Sequence, residues 1–427
     1  MENYTVILVL LGIMVILSTM AEKIRVSAPI ILILAGIAIG FLPFMPEMQI
    51  NSEIIFLLFL PPLLYDASFK VPFAGFKANL GIISSLAFSL VFATTAGIAV
   101  IAHYLIPGMT WPLAFVLGAI LAPTDAVAAL SITKSMKLSH LTTTILEGES
   151  LLNDASALVA YRFALAAVSG STFIFWNASL TFVILLAGGF AIGLIIAKAL
   201  SLILRLMRHN STAILSLQLL APFVTYLVAE HFHTSGVIAV VTLGFSMSRL
   251  SATRFPETLK TQSANIWDMI TFMLNGLIFI LIGLELPIVV RELNSDQLLI
   301  YAVYGLIITI AALFLRTLSV FLNHRKLQRG FNNPRIQSSR RAIPASILLS
   351  IQESMIISWS GMRGIISLAI AIGLPSVVNT EAFPFMKSVI IYITTVVVLL
   401  TIVGQGLLLP FIAKSNPVEQ AQGSFEA

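Results

Sequence analysis

Residues 148–155 read Gly148-Glu149-Ser150-Leu151-Leu152-Asn153-Asp154-Ala155. They place two carboxylates, a hydroxyl and an amide inside an otherwise apolar run. Polar groups at membrane depth are costly and face a cavity or a partner. In the apolar segment before it, Pro123-Thr124-Asp125 adds an acid directly after a helix-breaking proline. In a later segment, Ser360-Gly361-Met362-Arg363-Gly364 sets an arginine between two glycines, which permit a second break. Carbonyls freed at such breaks are tolerated in lipid where they line a cavity. With the Thr124 hydroxyl they are hard oxygen donors suited to Na⁺ or Li⁺. The residue types therefore describe a site that holds and releases a small cation.

Helical spacing divides the first motif. Glu149 and Asn153 are i, i+4 neighbours, as are Ser150 and Asp154. The two pairs occupy strips roughly 100° apart. Ser150 and Asp154 offer oxygen ligands, and Glu149 with Asn153 forms a hydrogen-bonded support. Asp154 falls about 12 residues, or about 18 Å, into its helix, near the bilayer middle. Asp125 is expected at similar depth on the neighbouring helix. The Arg363 guanidinium needs an anionic or carbonyl partner, and Glu149 is the expected one, leaving Asp154 free to titrate. A buried carboxylate is stable either protonated or ionised beside a cation. Proton and cation then compete for one site, and exchange follows if the empty charged site cannot cross.

The elements that must carry these residues are membrane helices. The chain has 427 residues, 58% hydrophobic and only 10% charged, against about 25% charged in soluble domains. Its mean hydropathy is +1.00. It is an all-α polytopic membrane protein. Without cysteine there is no disulfide, thiolate metal site or cysteine nucleophile. The six histidines fall in loops or at span ends, so no metal cluster and no cofactor is expected. No Gly-x-x-x-x-Gly-Lys-Ser/Thr loop for ATP occurs.

A span needs about 20 mostly apolar residues. Thirteen candidates are 4–20, 27–45, 53–68, 78–102, 110–133, 142–167, 173–204, 212–230, 235–249, 264–286, 297–321, 349–374 and 386–412. The first lacks a basic n-region and an Ala-x-Ala cleavage site, and reads as a retained span rather than a signal peptide. With the N-terminus outside, 20 of the 24 basic residues fall on inner loops or helix ends, Arg316 among them. This agrees with the positive-inside rule and puts the C-terminus in the cytoplasm. Six spans, a linker span and six more place the second six upside down, the arrangement of inverted repeats in transporters. The segment near 322–343 reads as a basic inner loop that meets anionic lipid. The 13 residues after Lys414 are too few to fold alone. Gly36-x-x-x-Gly40 and Gly189-x-x-x-Gly193 are helix-packing signals. Asp66, Asp268, Glu285 and Glu353 read as interfacial or inner-face groups, and Arg162 has no assigned partner.

Pro-Thr-Asp, then Gly-Glu-Ser-Leu-Leu-Asn-Asp-Ala, then Gly-Met-Arg-Gly closely resembles the monovalent cation:proton antiporter-1 family. That family holds the NhaP-type sodium/proton antiporters and the eukaryotic sodium/proton exchangers. The resemblance covers nearly the whole chain. It implies an NhaA-like antiporter fold and a homodimer in the cell (inner) membrane. A scaffold would comprise 1–75 and 171–290, a six-helix core 76–170 and 291–413, and 414–427 a short cytoplasmic tail. The core would carry Na⁺, with Li⁺ or K⁺ as alternatives, by an elevator-like movement. By the same resemblance, Asp154, Ser150 and Thr124 bind the cation or proton with Asp125 close by. Glu149 and Arg363 would steady Asn153, and Pro123, Gly361 and Gly364 would mark the breaks. Electrogenic relatives carry Asp-Asp where this chain has Asn153-Asp154, which implies one proton per cation. The alternative reading is a cation channel or cation-coupled symporter on a similar scaffold. An intramembrane aspartyl protease is disfavoured, because Tyr65-Asp66 lacks a Gly-x-Gly-Asp partner.

Overall fold

The computed structural model describes residues 2–24, 27–42, 52–133, 138–170, 175–207, 210–293, 295–333, 344, 347–374 and 383–413. These residues form helices and connections, with no strand among them. In chain order the helices are α1 (Glu2–Ile24), α2 (Ala28–Gly40), α3 (Ser52–Lys70), α4 (Phe73–Ala78), α5 (Leu80–Ser84), α6 (Val91–Leu105), α7 (Trp111–Leu121), α8 (Ala126–Thr133) and α9 (His140–Val168). There follow α10 (Phe175–Leu206), α11 (Ser211–His231), α12 (Gly236–Arg254), α13 (Glu257–Glu292), α14 (Ser295–Phe331), α15 (Ile351–Trp359), α16 (Ile365–Ile372), α17 (Phe383–Leu399) and α18 (Gly406–Ala413). Nine continuous or interrupted helices among the described residues are long and apolar enough to cross a membrane. Residues 5–21 and 28–40 form shorter apolar helices.

Two segments wind more loosely than α-helix. Ser85–Leu90 joins α5 to α6, and Leu400–Gln405 joins α17 to α18, each as a π-helical stretch. Such widened turns inside membrane helices cluster at functional sites. Here the second supplies Thr401 to the site described below. The expected basic loop near 322–343 is partly helix, because α14 runs on to Phe331 and carries Arg325, Lys326 and Arg329 with it. Residues 334–343 lie outside the described set.

α2 lies along α13, which also packs on α17, while α3, α10 and α11 gather around α12. α7 packs on α6 and α9, and α14 on α6, α15 and α17. α9 and α16 also touch α3. Between apolar helices in lipid, close backbone approach replaces the hydrophobic effect as the source of association. Gly36 of α2 and Gly283 of α13 face each other: a methyl group on Gly36 would lie 3.0 Å from the Gly283 Cα and overlap the Ile280 carbonyl. The Gly189–Gly193 pair admits α12 in the same way, against the backbone of Ser235 and Ala239.

Asp66 is not the solvated helix-end group expected from sequence. It is buried, and Lys70 bridges it at 2.8 Å to Asp268 at 2.7 Å, tying α3 to α13. Glu353 accepts from Ser139 at 2.6 Å and closes a capping box with Ser350, joining the starts of α9 and α15.

Overpacking a tight helix contact costs about 1–3 kcal/mol. Gly36→Ala is expected to lower the thermal unfolding midpoint in detergent. Gly12→Ala, where a methyl meets nothing within 4 Å, is expected not to.

Candidate functional site

Two interrupted helices cross at the centre of the site. α7 stops at Leu121, with Ala122 still in helical backbone, because Pro123 lacks the N–H that the next helical bond needs and its ring crowds the preceding turn. The chain resumes as α8 at Ala126, where the Asp125 carboxylate accepts from Val127 N–H at 2.8 Å and Ala128 N–H at 3.3 Å. Asp125 thus caps the second half-helix, and acid at a helix N-terminus is favoured by the macrodipole. α15 stops at Trp359, and α16 starts after Gly364, whose backbone is extended. The two gaps are stitched together by Asp125 N–H donating to Met362 O at 2.7 Å. Gly364 is a glycine for want of space, since a methyl there would collide with the Asp125 carboxylate.

Arg363 fills the crossing. Its Nε donates to Leu121 O at 3.0 Å, its Nη1 to Gly361 O, and its backbone N–H to the Thr401 hydroxyl at 3.0 Å. The guanidinium therefore meets the carbonyl at the C-terminal end of α7, where the helix dipole favours a cation. It does not pair with Glu149, the partner expected from sequence.

That partner is Arg316 of α14. Its Nη1 and Nη2 reach Glu149 Oε1 and Oε2 at 2.5 and 2.8 Å, and its Nε donates to Ile357 O at 2.9 Å. Both residues are buried, with side chains 2% exposed. Gly361 makes room for the arginine, since a methyl there would stand 2.7 Å from Arg316 Nε. The break thus serves both arginines: Arg363 folds back onto its freed carbonyls, and Arg316 passes through the gap at Gly361. By the positive-inside rule Arg316 reads as a residue of an inner helix end. The signal that it is not is its setting in an apolar run, Leu313-Phe314-Leu315-Arg316-Thr317-Leu318.

From this ion pair a one-directional chain runs to Asn153. The Thr124 hydroxyl donates to Glu149 Oε1 at 3.0 Å. A hydroxyl has one proton, so Thr124 Oγ1 must accept from Asn153 Nδ2, at 2.9 Å. The same amide nitrogen donates to Thr124 O at 3.2 Å. Asn153 is fixed as a donor, and its Oδ1 is buried without a partner. One turn away on the other strip, Ser150 Oγ lies 3.5 Å from the Ala126 N–H. Asp154 is 4% exposed and near enough to Asp125 to interact electrostatically. Among the described residues no hydrogen bond or ion pair engages the Asp154 carboxylate. The fold thus brings Thr124, Asp125, Glu149, Asn153, Asp154, Ser150 and Arg363 around one crossing. Arg162 lies apart from it, on Glu230 at 2.9 Å.

Removing one member of a buried ion pair costs about 3–5 kcal/mol, because the other charge is stranded. Arg316→Ala is therefore expected to be strongly destabilised in thermal unfolding. Arg316→Met combined with Glu149→Gln, which strands no charge, is expected to recover much of that loss.

The sodium/hydrogen exchanger transmembrane family model matches residues 6–415. A protein of Bacillus pumilus named sodium, potassium, lithium and rubidium/H⁺ antiporter is 32% identical over 97% of this chain, which spans 62% of that relative's length. The Na⁺/H⁺ antiporter NhaH of Halobacillus aidingensis is 30% identical over 96% of both chains. The solved structure of the sodium proton antiporter MjNhaP1 from Methanocaldococcus jannaschii at pH 8 superposes with a TM-score of 0.74. It covers 97% of this chain and 98% of that one at 19% identity, a likeness of fold. With that helical architecture, and a family match over nearly its whole length, the chain belongs to the sodium/hydrogen exchanger family.

Proposed function

We propose that the protein is a secondary active antiporter exchanging Na⁺ for H⁺, with Li⁺ and K⁺ as alternative cargo. The observation that carries this reading is the division of the carboxylates. Glu149 is neutralised by Arg316 and held by Thr124, and Asp125 Oδ1 is engaged as a helix cap. Asp154 is buried, unengaged among the described residues, and beside the broken backbone. A carboxylate in that setting is stable with a proton or with a bound cation, so the two compete. Ser150 and Thr124 stand near as oxygen ligands, and Asp125 adds negative charge to the same pocket.

Asn153 bears on the transport ratio. An amide cannot release a proton in the working range, and its donor role to Thr124 needs none. One titrating carboxylate gives one proton per monovalent cation, an electroneutral 1:1 exchange. The stoichiometry, the competition at Asp154 and the movement go together in this reading. The core (76–170 and 291–413) shifts as a unit against a scaffold (1–75 and 171–290), in a homodimer of thirteen-span chains. The N-terminus lies outside and the C-terminus in the cytoplasm, in the inner membrane.

The test is reconstitution in proteoliposomes with a pH-sensitive dye, adding Na⁺, Li⁺ and K⁺ in turn. Wild type is expected to move protons against a gradient, and Asp154→Asn to lose exchange at least tenfold. Normal exchange by Asp154→Asn would remove the central assignment. An imposed membrane voltage is expected to leave the rate unchanged, and a coupled current would rule out the 1:1 ratio.

A further inference from the structure

We propose that Arg162 and Glu230 form a latch between the moving core and the scaffold, one that must open in every transport cycle. This rests on the exchange reading above and on its division into two bodies. Arg162 Nη2 lies 2.9 Å from Glu230 Oε2. Arg162 belongs to α9, eight residues past Asp154, or about 12 Å farther along the helix. Glu230 belongs to the last turn of α11. The pair therefore joins the helix that carries Asp154 to a scaffold helix, at the end of α9 that faces outside in the orientation proposed above.

The ion pairs of the molecule differ in kind according to what they join. Arg316–Glu149 lies within the core, is 2% exposed on both sides and travels with α9. Lys70 links Asp66 to Asp268 within the scaffold. Arg162–Glu230 crosses between the bodies and is half open to solvent, 49% and 32% exposed. Breaking a buried pair strands a charge at high cost, whereas an exposed pair is weak. A contact that must break on each cycle has to be of the second kind. An exposed pair biases a two-state equilibrium by roughly two- to fivefold, enough to favour one state without locking it.

The scaffold half of the latch is built in advance. Glu230 Oε1 accepts from Gly236 N–H, at 3.2 Å, and so caps the start of α12. That leaves Oε2 for Arg162. The turn between α11 and α12 is tight, with His233 at φ 53° and Thr234 N–H donating to Ala229 O at 2.9 Å. A methyl on Gly236 would lie 2.6 Å from the Tyr226 ring and 3.2 Å from Glu230 Oε1. Glycine at that position lets the carboxylate and the helix start approach. Tyr226 is near enough to feel both charges.

The test uses the full chain in oriented proteoliposomes, with the half-saturating Na⁺ concentration measured from each face. Glu230→Gln keeps an oxygen for the α12 cap and removes the charge, and Arg162→Gln removes the other. Each is expected to change the ratio of the outer to the inner value by roughly two- to fivefold, both in the same direction, as the latched state loses its bias. The double variant is expected to shift the ratio no further than either single, because one interaction is being removed. A merely structural role would change the unfolding midpoint and leave the ratio alone. The chain has no cysteine, so Arg162→Cys with Glu230→Cys adds a second arm. Once joined by a reducible bifunctional thiol cross-linker long enough to replace the two lost side chains, that variant should stop exchanging and resume on reduction. An unchanged ratio in both singles, a double shift equal to the product of the singles, or full exchange by the cross-linked protein would each overturn the latch. Such a result in a wild type that exchanges Na⁺ for H⁺ removes the latch alone, whereas a wild type without exchange removes both readings.

Discussion

A guanidinium buried in the middle of a helix bundle must be paired, and the pairing of Arg316 with Glu149 organises what surrounds it. The arginine reaches Glu149 bidentately and spends its third donor on the Ile357 carbonyl. These bonds reach two other helices, two to Glu149 of α9 and one to Ile357 of α15, so one side chain ties α14, α9 and α15 together. Satisfying Glu149 in this way lets Thr124 donate to it, and that donation in turn fixes Asn153 as a donor. The polarity of the network therefore starts at Arg316. Without it Glu149 would lose its direct ion-pair partner, and on the proposed function the distinction between supporting and exchanging carboxylates would weaken.

The crossing of the two interrupted helices supplies the stage. A continuous helix consumes its own carbonyls, whereas the ends of α7 and α15 leave theirs available. Arg363 takes Leu121 O and Gly361 O, and Asp125 caps α8 and donates its backbone N–H to Met362 O. The ends are thus satisfied by protein groups and held against each other, which is how irregular backbone is tolerated at membrane depth. Gly361 and Gly364 are needed there for clearance, the first for Arg316 and the second for the Asp125 carboxylate. On the proposed function, the same crossing holds Asp154 beside broken backbone without surrendering its carboxylate to a permanent partner.

Much of this was legible in the sequence because the rules involved are local. Pro123 and the Gly361–Gly364 pair mark interruptions through backbone chemistry alone, and the i, i+4 spacing in 149–154 separates Glu149 and Asn153 from Ser150 and Asp154. What escaped was set by tertiary contact. Arg363 and Glu149 look like natural partners, yet Arg316 comes from a helix whose register against α9 no local pattern reveals. Arg316 also obeyed the positive-inside bias well enough to be read as a helix end, although its apolar flanks pointed to burial. Asp66 likewise sits at a helix end in sequence but is buried against Lys70 and Asp268. The π-helical turns at 85–90 and 400–405 left no pattern to read, since a single widened turn shifts the apolar periodicity too little.

On the proposed function a single carboxylate, Asp154, trades its proton for the cation while Glu149 keeps its place against Arg316. Counting protons released as Na⁺ binds to the purified protein tests it most directly. Calorimetric titration in buffers of different ionisation enthalpy gives that number. Release approaching one proton per bound Na⁺ at a pH where the empty site is protonated, lost in Asp154→Asn, is the expected result. Release of two protons, or of one that survives Asp154→Asn, would contradict it.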